Sequence, residues 1–67
     1  MNELEFLCFD VLGDHTDPRD IEIAKDGKSV FAWIKPGLDS RIVRSDWNAA
    51  VKGTEYEGVR LILSVRP

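Results

Sequence analysis

Cys8 is the only cysteine among 67 residues, and that pairing of a short chain with a single thiol sets the terms on which it can fold. No internal disulfide can staple it, so stability has to come from one hydrophobic core. A domain of this size buries only about 60% of the surface that its unfolded chain exposes. Hydrophobic residues at 43% and charged residues at 31% suit a folded domain rather than a disordered one. A lone thiol also fits a reducing compartment better than a secreted one. No apolar run approaches the roughly 20 residues of a membrane-spanning helix. Glu3 and Glu5 stand where a secretory signal would carry positive charge. The expectation is one cytoplasmic domain over residues 1–67 that gains core from a second copy of itself or from a protein partner.

The strongest local signal is Asp26-Gly27, a dipeptide that tolerates the positive φ angles of a type I′ hairpin turn. On its N-terminal side, Ile21 and Ile23 alternate with Asp20 and Glu22 over Asp20 to Ala24. On its C-terminal side, Ser29 to Lys35 places Val30, Ala32 and Ile34 on one face and Phe31 and Trp33 on the other. Leu4 to Leu12, free of Gly and Pro and rich in aromatic and branched residues, reads as a further strand with both faces apolar. Glu57 to Val65 reads as the last strand, with Val59, Leu61, Leu63 and Val65 opposite Arg60, Ile62 and Ser64. Between Pro36-Gly37 and Gly53 lies a helix of uncertain start. Either Asp39 caps Ser40 to Lys52, or Ser45 caps a shorter run from Asp46, which the β-branched neighbours Ile42 and Val43 favour. Its apolar stripe is Val43, Trp47, Ala50 and Val51.

The pattern predicts an α+β fold, a small antiparallel sheet of about four strands in the order β-β-β-α-β with one short helix on one face. A small all-β barrel of the SH3-like type is the alternative. One helix covers one face, so Phe31, Trp33 and Ile62, together with Phe9 and Leu7, are expected on a second, uncovered face, where a patch of that kind marks an interface.

Charge is unevenly placed along the chain. Residues 1–26 carry eight acids against Arg19 and Lys25, a net −6, whereas residues 27–67 carry seven bases against four acids, a net +3. An acidic surface built from Asp14, Asp17, Asp20 and Glu22 would suit a basic partner, as in small inhibitors and immunity-type proteins of bacterial or phage origin. Arg41, Arg44, Lys52 and Arg60, with Lys35 and Arg66 nearby, form the competing nucleic-acid-binding set, although the acidic total opposes it. Asp10, Asp14, His15, Asp17 and Asp20 bring hard oxygen ligands and one imidazole into a short loop region, and a metal-binding or enzymatic role would centre on Asp14, His15 and Asp17. The spacing matches neither an EF-hand nor a zinc site, and Asp residues also satisfy their own turns. Cys8 and His15 are the only thiol and imidazole, but Cys8 sits between Leu7 and Phe9 in an acidic context that disfavours a thiolate. No glycine-rich phosphate loop is present. The sequence therefore predicts a non-enzymatic, cofactor-free binding module that contacts another protein or a second copy of itself.

Overall fold

The computed structural model describes residues 3–65. Two helices and three strands follow one another as α1 (Glu3–Leu12), β1 (Ile21–Ile23), β2 (Ser29–Ile34), α2 (Ser40–Val51) and β3 (Arg60–Val65), with a single turn of 3-10 helix at Pro18–Asp20 leading into β1. The α+β class holds, but neither the four-stranded antiparallel sheet nor an all-β barrel is what the chain builds. Strand order is β1-β2-β3, antiparallel between β1 and β2 and parallel between β2 and β3. A parallel neighbour requires a crossover, and α2 supplies it.

The first expected strand is helix α1. Read with a period of two, Leu4 to Leu12 would expose an apolar face whichever way it turned. Wound at about 3.6 residues per turn, Leu4, Cys8 and Leu12 fall on one buried stripe, with Leu7 and Val11 packed beside it. Acidic Glu3 and Glu5 occupy the first turn, where the helix dipole favours negative charge.

The hairpin forms as the sequence predicts, yet its turn is not type I′. Only Gly27 takes a positive φ, at 70°, and its N–H donates to the Ala24 carbonyl at 2.9 Å, while Ala24 and Ser29 close the ladder. The longer loop thus needs one left-handed residue instead of two.

Helix α2 takes the longer of its two expected forms. Asp39 is the N-cap, its Oδ1 accepting from the Arg41 N–H at 2.9 Å. The early start brings Val43 onto the stripe with Trp47 and Val51, and burying that valine outweighs the low helix propensity of Ile42-Val43. Lys52 is the C-cap and Gly53 follows at φ 77°, the left-handed C′ position.

Both helices pack on the same side of the sheet. Leu4, Cys8 and Leu12 from α1, Val43, Trp47 and Val51 from α2, Val30 and Ala32 from β2 and Leu61 from β3 form one core cluster. Among the described residues no helix is long and apolar enough to cross a membrane.

Candidate functional site

The two-layer arrangement leaves the other side of the sheet uncovered. Along β2, Val30, Ala32 and Ile34 point into the core while Phe31 and Trp33, displaced by one residue, point away from it. Phe31 is 40% exposed and Trp33 44%. The register sets their neighbours. Glu22, Phe31 and Ile62 form one row across the three strands, and Trp33 pairs with Ser64 and Ser29 with Arg60 in the rows either side. Adjacent members of a row lie about 4.8 Å apart. An acid, an aromatic ring and a half-buried isoleucine therefore stand side by side, with one arginine at the far corner.

The acidic loop reaches this face at the Trp33 end. Thr16, the one buried polar residue among those described, donates its hydroxyl to the Trp33 carbonyl and so pins the loop after α1 to the end of β2. Asp17 then caps the 3-10 turn through the Arg19 N–H, and its carboxylate also takes two bonds from the Arg19 guanidinium, at 3.2 and 3.0 Å. The Arg19 contacts hold the Asp17 carboxyl down at about 2. Asp17 and Asp20 line a shallow depression of about 120 Å³ with Trp33, Ile34, Lys35 and Pro36. Asp14 and Asp17 share an adjoining hollow with His15 and Leu38. The two hollows thus join Asp14, Asp17 and Asp20 near Trp33, whereas Glu22 stands apart on β1 beside Phe31, and Arg19 and Lys35 offset part of the acids' charge.

The other constellations do not converge. His15 Nε2 donates to the Asp46 carboxylate on α2 at 3.0 Å, Asp17 is engaged with Arg19, and Asp14 is exposed. Among the described residues no group of three His, Cys, Asp or Glu side chains is placed to hold a metal ion, and Asp10 lies apart on α1. Cys8 is fully buried, and burial, followed by the neighbouring Glu5 charge, pushes its thiol up to about 11. Arg41 bonds back to Asp39 at 3.2 and 3.1 Å, and Arg44 donates to the Leu61 carbonyl at 2.9 Å. Arg41, Arg44 and the C-cap Lys52 run along α2, whereas Arg60 lies on the opposite side of the sheet. Arg66 lies outside the described residues.

The sequence reading also missed a surface. Phe6 is 66% exposed and Phe9 borders a depression of about 290 Å³ with Glu5, Ile21, Glu22 and Ile23, between α1 and the outer edge of β1. A period-two reading assigns those phenylalanines to sheet faces and sets Phe9 and Leu7 beside Phe31 and Trp33, whereas both belong to α1 and Leu7 packs against the core. The helical spacing of Leu4, Cys8 and Leu12 is the signal that would have placed the phenylalanines outside.

Comparison with protein-family models, curated proteins and solved structures finds no match for this chain.

Proposed function

We infer that this chain is a protein-binding module whose open sheet face docks a partner carrying apolar groups at its centre and basic groups on the side that meets Asp17, Asp20 and Glu22. One observation carries the reading: two aromatic side chains, Phe31 and Trp33, stand exposed beside Ile62 on a face that the chain's own helices leave bare. Aromatic anchors surrounded by polar residues are the usual centre of a protein interface, because they bury large area at little entropic cost. The acidic border supports a partner of opposite charge and with it an inhibitor-like role, in which carboxylates cover a basic surface. The nucleic-acid reading has less behind it, since Arg41 and Arg44 are engaged with Asp39 and with the Leu61 carbonyl, and Arg60 faces away from α2.

Affinity capture with the wild-type chain, with Phe31→Ser/Trp33→Ser and with Arg41→Ala/Arg44→Ala tests the choice, each fold being checked by circular dichroism. The same proteins should be recovered with wild type and the arginine variant and lost with the face variant. Capture that depends on the arginines and not on the aromatic residues would reject the docking face.

A further inference from the structure

The sheet is open at β3, and the ladder shows which backbone groups are left over. Arg60 donates its N–H to the Lys28 carbonyl at 2.9 Å, so Arg60, Ile62 and Ser64 turn their peptide groups toward β2 and Leu61, Leu63 and Val65 turn theirs outward. Among the described residues the outward groups of Leu61 and Leu63 have one partner, the Arg44 guanidinium on the Leu61 carbonyl. That carbonyl retains a second lone pair. Natural sheets blunt such an edge with proline, a bulge or inward charge, yet Leu61 to Val65 is an uninterrupted, uncharged run. Val65 is 57% exposed although it lies on the helix-covered side of the sheet.

We propose that the β3 edge pairs antiparallel with β3 of a second copy of this chain, about a two-fold axis at Ile62, to give a continuous six-stranded sheet. The sequence around that axis is self-complementary. Leu61 falls opposite Leu63 of the second copy, and the two exchange hydrogen bonds, the Leu61 carbonyl using the lone pair that Arg44 leaves. Val59 falls opposite the exposed Val65. Arg60 falls opposite Ser64 instead of another charge, and Ile62 meets its own equivalent. Pairing joins the two open faces into one surface, but it engages the strand edge and does not depend on whether that face docks a partner. Both edges carry arginine, through Arg44 and Arg60, so salt should strengthen the pairing by screening their repulsion.

Light scattering across a concentration series should take the mass from 7.6 kDa toward twice that value, and further when salt is added. Ser64→Arg, which sets like charges opposite each other twice across the axis, should lower the dimer fraction, and Ser64→Glu should raise it. In an oxidising buffer Ile62→Cys should form a disulfide-linked dimer in preference to Ser64→Cys, because only residue 62 meets itself in a non-hydrogen-bonded pair with the short Cα separation that a disulfide needs. Cys8, buried and protonated, stays out of that reaction. A monomer at every concentration overturns the proposal. So does a dimer that is indifferent to both Ser64 charges and cross-links no better through residue 62 than through residue 64.

Discussion

Single side chains in this molecule are held by different physical effects, and pH separates them. The Cys8 thiol lies in the core and is pushed from 9.0 to about 11 by burial and by Glu5. Folding therefore favours the protonated thiol. Its contribution is complete below the unfolded thiol's value of 9.0 and is lost as pH rises through about 11. The melting temperature should fall over that alkaline window, and Cys8→Ala, though less stable throughout because it leaves a small cavity, should show a flatter decline there. An equal slope in the variant would assign the alkaline loss to other groups. Asp17 has the opposite sign. Its carboxyl is drawn from 3.8 to about 2 by the Arg19 side chain and backbone N–H, so its contribution is present above 3.8 and disappears as pH falls through about 2. A carboxyl-carbon NMR titration should give a midpoint near 2 for Asp17, moving up toward 3.8 in Arg19→Ala.

Elements form where local signals agree with what the core needs, and the two helices show both sides of that rule. Asp39 satisfies an end-of-helix N–H that water would otherwise have to serve, and Asp39→Ala should lower stability. The urea midpoint should drop with the slope unchanged, since the surface exposed on unfolding stays the same. The sequence made both possible starts of α2 visible, because Asp39 and Ser45 are equally good caps. Local propensity pointed to the later start, and only the burial of Val43 against the sheet decides for the earlier one. Strands β1 and β2 were legible because alternation and Asp26-Gly27 point to the same hairpin. Helix α1 was not, because Leu, Phe and Val suit either state and a short apolar run cannot be assigned by composition alone. Its error carried into topology: with the first segment helical, β1 loses a neighbour, three strands remain, and β3 becomes an edge. Phe31, Trp33 and Ile62 share a face as their alternation predicts, since it belongs to strands read correctly, whereas Phe9 and Leu7, grouped with them on the strand reading of the first segment, belong to α1.

At the scale of the whole molecule, sheet order turns the uneven charge of the chain into a spatial division. The acid-rich first part makes α1, the 3-10 turn and β1, and the base-rich remainder makes β2, α2 and β3, so of the two edge strands β1 carries Glu22 and β3 carries Arg60. Apolar surface is divided as well, between a covered side that holds the fold together and a bare side that does not. This division can be measured. A domain of this size has a net stability on the order of 5 kcal/mol, and Trp47, fully buried among α1, α2 and the sheet, should cost about 3–5 kcal/mol when cut to alanine, which removes most of that margin. Phe31→Thr keeps a strand-forming residue at an exposed position and should shift stability by less than about 1 kcal/mol. Denaturant titrations of the two variants therefore ask whether aromatic side chains on the two sides of one sheet serve different ends. A loss for Phe31→Thr as large as that for Trp47→Ala would mean that the bare face is structural, and would remove the reason for assigning it a partner. A large loss in one and a small loss in the other would leave Phe31 with no structural task that accounts for an exposed ring at the centre of the sheet, which is the condition a docking face has to meet.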